Sequence, residues 1–170
     1  MDILRAPWRM EYIDSSSIIG SSSQKNEQSC IFCQFPREDN DEENLIIARG
    51  DRAYVILNRY PYSSGHVMVI PYRHTSDLQM LSAEEAVDVF ALTQRALRAI
   101  DAAFHADGFN LGVNIGKVAG AGIDTHLHLH IVPRWNGDTN FMSVTAETKV
   151  LPEALKITRE RLAKAWILAG

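Results

Sequence analysis

Three histidines alternate with apolar residues in the stretch HLHLHIVPRW, which runs from His126 to Trp135. An extended strand turns successive side chains to opposite faces. The spacing therefore predicts a strand with His126, His128 and His130 on one face and Leu127, Leu129 and Ile131 on the other. Imidazole titrates near pH ~6.5, so clustered histidines can divide the work of nucleophile, proton donor and charge stabiliser at neutral pH. At phosphorus, a neutral imidazole can displace a leaving group and form a phosphoramidate, which a second acceptor then resolves. His128, flanked on its own face by the other two, is the expected nucleophile. Its far nitrogen then needs a carbonyl or carboxylate to fix the tautomer, and no residue of the sequence identifies that partner. The alternation also suits a half-buried strand with a histidine face, or a short metal-binding tract.

Two further groups of residues carry chemistry. The only cysteines, Cys30 and Cys33, are spaced as CIFC; in a chain expected in the cytosol this reads as a metal half-site or a redox pair rather than a structural disulfide. The next histidine is the distant His66, so spacing alone does not choose between them. Directly before the histidines, the loop from Lys117 to Thr125 contains Gly120 and Gly122. Glycines there permit close backbone approach and outward-pointing amides that could hold phosphate oxygens, although a glycine-bearing loop is often only a turn. Trp135 offers a face on which a purine could stack, or a packing group.

The elements that must position these residues follow from periodicity. LIIAR, a Gly50-Asp51 turn and RAYVILN predict a hairpin; RYPYSSG is a loop, and HVMVIPY, from His66, is the next strand, ended by Pro71. Ser82 and Glu85 form a capping-box pair, and Ala86, Phe90, Leu97, Ile100 and Phe104 recur at helical spacing up to about His105. FNLGVNIG, residues 109–116, alternates Phe109, Leu111, Val113 and Ile115 against Asn110, Gly112, Asn114 and Gly116. Pairing it with the histidine strand would set two apolar faces on the helix and two polar faces in a cleft. A last helix is expected from near Pro152, carrying Leu155, Leu162 and Trp166. The fold class expected is α+β: an antiparallel sheet of about five strands with one long helix on its back and a C-terminal helix.

At 170 residues, 46% hydrophobic and 22% charged, the chain suits one globular domain. Lys and Arg total 17 against 21 Asp and Glu, a formal charge of −4 that leaves no footprint for general nucleic-acid binding. No run approaches the ~18 apolar residues of a membrane span, so no membrane partner is expected and the cytoplasm is the expected location. The serine-rich stretch 14–29 reads as a linker behind an arm containing Trp8, Met10 and Tyr12, and the acidic stretch 36–44 reads as a solvated connection. The division expected is an arm with linker and CxxC over 1–44, a core over 45–150 and a terminal helix over 151–170.

NIGKVAGAGIDTHLHLHIVPRW resembles the signature of the histidine triad superfamily, and LNRYPYSSGHVMVIPYRH resembles its substrate-side hairpin. Within it, APWRMEYI and PRWNGDTNFM are most similar to the bacterial diadenosine tetraphosphate phosphorylase branch, with the fragile-histidine hydrolases next. The resemblance implies attack by His128 on the α-phosphorus of a nucleotide or dinucleoside polyphosphate, and transfer to phosphate or water. It implies His130 on the phosphate oxygens, His66 completing the cluster, Asn58 on the ribose hydroxyls and Asn114 beside the phosphate. GAGIDTH is one residue longer than the hydrolases' run and lacks its glutamine, so Thr125 is only a candidate for the hydroxyl on the α-phosphate. The resemblance also implies a structural zinc held by Cys30, Cys33, His74 and His126, and a homodimer. A nucleoside phosphoramidase, or a zinc-stabilised nucleotide-binding module without turnover, would share these motifs.

Overall fold

In the computed structural model of the protein, which describes residues 27–138 and 153–170, the apolar runs flanking Gly50 and Asp51 pair as an antiparallel hairpin of β1 (Ile46–Arg49) and β2 (Ala53–Leu57). β3 (Val67–Pro71) follows, then β4 (Gly108–Val113) and β5 (Leu129–Arg134). All neighbours pair antiparallel in one five-stranded sheet of order β1-β2-β3-β5-β4. Every residue of β2 and β3 is buried, as the continuous β-branched and aromatic runs of both strands require. Residues 1–26 of the expected arm and linker, the segment 139–152 and the expected helix start at Pro152 lie outside the described residues.

Register does the positioning. Ile56 of β2 faces Met68 of β3, Met68 faces His130 of β5, and His130 faces Gly112 of β4. These four residues therefore form one row across one face of the sheet. Two residues along the same face come Asn58 and His66, where the Asn58 amide donates to the His66 carbonyl at 2.9 Å.

The long helix, α2 (Ala83–Phe104), packs against β2 and β3. Its start is the capping box read from the sequence: Glu85 N–H donates to Ser82 Oγ at 3.2 Å and Ser82 N–H to the Glu85 carboxylate at 2.8 Å. Its buried stripe differs from the one expected. Val89, Leu92, Ala96, Ala99 and Ile100 are buried, whereas Phe90 is 63% exposed. The sequence offered two overlapping apolar stripes, and the narrower one, with alanines, permits close approach to the sheet. Trp135 donates from Nε1 to the carbonyls of Phe104 and His105, at 3.3 and 3.0 Å, so it satisfies the end of α2 rather than stacking in a cleft. The C-terminal helix, α3 (Leu155–Leu168), buries Thr158, Leu162, Ala165 and Trp166 and lies against α2 and β1.

Two clamps fix the ends of these elements. Asp88 on α2 accepts from the amides of Arg52 and Ala53, at 2.7 and 2.9 Å, which ties the β1–β2 turn to the helix. Arg73, just past β3, meets the Glu85 carboxylate through Nε at 2.7 Å and Nη2 at 2.6 Å. The guanidinium beside Glu85 holds that carboxyl down at about 2, from an ordinary 4.5. A carboxyl lowered on folding stabilises above its unfolded pKa, and that contribution is lost as pH falls through the folded value. Glu85→Ala is therefore expected to destabilise the protein by about 1–2 kcal/mol at pH 7. Urea titrations should show the gap from wild type closing as pH falls from 4.5 towards 2; a gap constant with pH would overturn this role for the carboxylate.

Candidate functional site

The three alternating histidines do not share one strand face. β5 begins at Leu129, and the chain before it leaves the ladder because the Leu127 amide donates to the Thr75 carbonyl at 2.6 Å. The His126 carbonyl is also taken, bonded by His128 Nδ1 at 2.8 Å. The rings consequently separate into two centres.

His126 points away from its neighbours. It is 1% exposed, and its Nδ1 lies 3.3 Å from Cys30 Sγ and 3.4 Å from Cys33 Sγ, while His74 Nδ1 lies 3.3 Å from Cys33 Sγ. One ligand atom from each of Cys30, Cys33, His74 and His126 falls within 4.8 Å of all the others. A tetrahedral zinc with S at ~2.3 Å and N at ~2.0–2.1 Å would separate sulfur from nitrogen by about 3.5 Å, so this Cys2His2 set fits that ion. The His126 tautomer fits as well: Nε2–H donates to the Pro71 carbonyl at 2.8 Å and leaves the Nδ1 lone pair facing the thiols. Burial holds the His126 imidazole down at about 4, so it stays neutral, as a metal ligand must. Burial and the neighbouring Cys30 push the Cys33 thiol up to about 12, so a cation at the common centre is what would draw its proton off. Four protein ligands close the coordination, so the site is a structural one.

His128 and His130 face a cavity instead. Its walls are Ile31, Phe32 and Phe35 from the arm; Asn44 and Leu45; Ile56 to Tyr60, Tyr62 and Met68; and Asn114, Gly120, Gly122 and Ile123 with the two histidines. The cleft spans about 940 Å³ of space, which includes open solvent. The His128 and His130 rings are 4.8 Å apart between centroids, at 74°.

Hydrogen bonds assign the tautomers around this cavity. His128 Nδ1–H donates to the His126 carbonyl, which leaves the lone pair on Nε2; burial lowers the His128 pKa, so the ring stays neutral. That carbonyl is the orienting partner that the sequence did not reveal. Tyr62 N–H donates to His66 Nδ1 at 3.0 Å, so the proton of His66 is on Nε2. His66 Nε2 lies 2.9 Å from His130 Nδ1, which must accept, and His130 in turn carries its proton on Nε2. The result is one imidazole with an available lone pair next to one that presents a donor. This is the pairing that attack at a phosphorus centre with an oxyanion to stabilise requires.

The other expected contacts are placed unequally. Asn58, Asn114, Gly120 and Gly122 line the cavity. Asn58 Oδ1 accepts from Tyr60 N–H at 2.9 Å, and its Nδ2 sits 3.4 Å from His66 Nε2. Gly120, at φ +86°, turns its amide inward onto the Lys117 carbonyl at 2.9 Å, so that amide does not point into the cleft. Thr125 is not among the lining residues; its hydroxyl is buried and has no hydrogen-bond partner among the described residues.

Sequence reasoning missed the arm's share of the wall. Phe32, between the two cysteines on α1 (Ile31–Gln34), is 4% exposed and packs on both His126 and His128, with centroids 5.7 and 5.3 Å away. Tyr54 Oη donates to the Phe32 carbonyl at 2.8 Å and anchors α1 to the sheet. The available signal was apolar residues inside and after the CxxC, which a solvent-exposed metal knuckle would not need. The acidic connection at 36–44 likewise ends in Asn44, 8% exposed and in the cavity wall.

Comparisons with known proteins agree with this geometry. A family model described as the HIT domain matches residues 39–137. The AP-4-A phosphorylase of Mycobacterium tuberculosis is 40% identical over 163 residues, 96% of this chain and 83% of that protein. The adenosine 5'-monophosphoramidase of Schizosaccharomyces pombe is 28% identical over 135 residues, 79% of this chain and 96% of that one. Among solved structures, a zinc-bound histidine triad family protein from Mycobacterium smegmatis superposes with a TM-score of 0.68 at 31% identity, over 84% of this chain and 96% of that chain.

Metal analysis of the purified protein is expected to give about one zinc per chain, and Cys30→Ser with Cys33→Ser to remove it, lowering the melting temperature by about 10 °C or more. Metal-free wild type with an unchanged melting temperature would overturn the assignment.

Proposed function

The chain belongs to the HIT domain family, and we propose that it transfers a nucleotidyl group from a dinucleoside polyphosphate such as diadenosine tetraphosphate to inorganic phosphate, through His128. The observation that carries this reading is the hydrogen bond from His128 Nδ1–H to the His126 carbonyl, which leaves a neutral Nε2 in the cavity wall beside His130. The resemblance to the AP-4-A phosphorylase, over nearly the whole chain, selects the substrate class.

In the first displacement, the Nε2 lone pair of His128 attacks the α-phosphorus, and the phosphorus–oxygen bond to the departing nucleoside triphosphate breaks. His130 Nε2–H donates to a non-bridging oxygen as charge gathers there. His66 keeps that proton in place by occupying His130 Nδ1. In the second, a phosphate oxygen attacks the same phosphorus, the phosphorus–nitrogen bond breaks, and a nucleoside diphosphate leaves with His128 neutral again. Asn58 holds the ribose, and Asn114, Gly120 and Gly122 line the path of the phosphates. Thr125 remains a candidate hydroxyl only through the resemblance, since it stands outside the wall.

The donors Cys30, Cys33, His74 and His126 would hold zinc, whose contribution is to cross-link the arm to the start of β5. In this reading, 45–150 is the triad-bearing core, 1–44 the arm and 151–170 the terminal helix. The working unit is a homodimer: β4 is an edge strand with Leu111 52% exposed, an arrangement open to pairing with a second copy. No helix among the described residues is long and apolar enough to cross a membrane, and the reading places the protein in the cytoplasm.

Incubation with diadenosine tetraphosphate is expected to yield ADP and ATP only when phosphate is present, and His128→Ala to lower turnover by about 10³-fold or more. AMP with ATP regardless of phosphate would make water the acceptor. The relative from S. pombe supports a second reading, cleavage of an adenosine phosphoramidate by the same first displacement. Faster turnover of that compound than of the tetraphosphate would put it first. Tight nucleotide binding without product from either would reduce the protein to a binding module.

A further inference from the structure

The arm residues of the cavity wall, Ile31, Phe32 and Phe35, together with Leu45 just before β1 and Ile56 of β2, are hydrocarbon or aromatic. Asn44 is the polar residue among them. It is 8% exposed, and its backbone enters the wall through an uncommon conformation: the next residue, Leu45, has φ +62°. That left-handed residue is held by the bonds of its neighbours, Ile46 N–H to the Asp41 carbonyl at 2.8 Å and Leu57 N–H to the Leu45 carbonyl at 2.9 Å. Leu45 is thus fixed in the cavity wall just before the irregularity in the β1–β2 register.

The orientation of the Asn44 amide is set from outside the cavity. Its Nδ2 donates to Glu38 Oε2 at 2.7 Å, with the Phe35 carbonyl at 3.5 Å on the same side. Two acceptors on one side assign the nitrogen there, so what Asn44 has left to offer is its Oδ1, an acceptor. Glu38 is not part of the wall. It works at one remove, as the group that prevents the amide from turning over.

We infer that Asn44 is the base-reading residue of this cavity: its Oδ1, oriented by Glu38, accepts a hydrogen bond from the exocyclic amine of a 6-aminopurine. The inference rests on the nucleotide reading above and adds the element that selects the base. A 6-oxopurine would bring a second acceptor against Oδ1, leaving both unpaired in an apolar pocket, which is the condition under which a site rejects a near-isostere strongly. The same geometry gives Glu38 a distinct task. Without its carboxylate the amide can rotate and present Nδ2, which suits a 6-oxo group.

The test is isothermal titration of the purified full chain, with its metal, against AMP and against IMP. Wild type is expected to bind AMP at least about 10-fold more tightly than IMP. Asn44→Leu should bring that ratio close to 1, and Glu38→Ala, which alters no group of the wall, should reduce it several-fold. A merely structural role for either residue would weaken both nucleotides alike and leave the ratio unchanged, which would overturn the inference, as would equal affinities in wild type. If wild type binds neither nucleotide, the nucleotide reading itself fails, an outcome distinct from loss of selectivity. Circular dichroism on each variant separates loss of fold from loss of recognition, and Glu38→Ala keeps the inference testable should Asn44→Leu not fold.

Discussion

His126 is the residue through which the two centres of this protein are joined, and it works with both ends. Its ring is held by the Pro71 carbonyl on Nε2 and turned by that bond towards Cys30 and Cys33 on Nδ1. Its backbone carbonyl receives the Nδ1 proton of His128. The orientation of the His128 imidazole is therefore set by a backbone atom of a residue that the donor cluster itself immobilises. A carbonyl on a free loop would leave His128 to choose between tautomers; a carbonyl pinned by a four-residue cluster does not.

The same economy extends along the cavity. Backbone groups begin each chain of hydrogen bonds and imidazoles transmit it: Tyr62 N–H fixes His66, His66 fixes His130, and His126 fixes His128. The group that orients His128 is a backbone carbonyl, which carries no net charge of its own. The sheet supplies the spacing. One row of paired residues, Ile56, Met68 and His130, contributes to the cavity wall, and the apolar arm closes it through Phe32, which touches both His126 and His128. The donor cluster and the cavity thus share a side chain as well as a carbonyl, and the arm belongs to the site although it lies outside the sheet.

Several elements are legible in the sequence itself, for local reasons. Two apolar runs about Gly50-Asp51 make a hairpin because turn chemistry and strand propensity agree there, and Ser82 with Glu85 starts a helix because a capping box satisfies orphan amides within one turn. The buried stripe of α2 was less legible. Phe90 and the Val89–Ala96 stripe are both at helical spacing, and only the depth available against β2 and β3 chooses between them. The cysteine pair announced a ligand half-site, but His74 and His126, 41 and 93 residues from Cys33, are joined to it only by the fold.

The alternation of His126, His128 and His130 determined by itself only that three imidazoles lie within five residues of chain, since side-chain types and spacing are properties of the chain. Which ring does what was decided by tertiary structure. Alternation assumes a continuous ladder, and the Leu127 amide breaks that ladder by pairing with Thr75, which sends the first ring to the cysteines and leaves the other two in the cavity. Tautomer, burial and the facing of Asn44 depend likewise on groups distant in sequence. Hydrogen bonds and desolvation are set by neighbours in space, and a linear pattern records only neighbours along the chain.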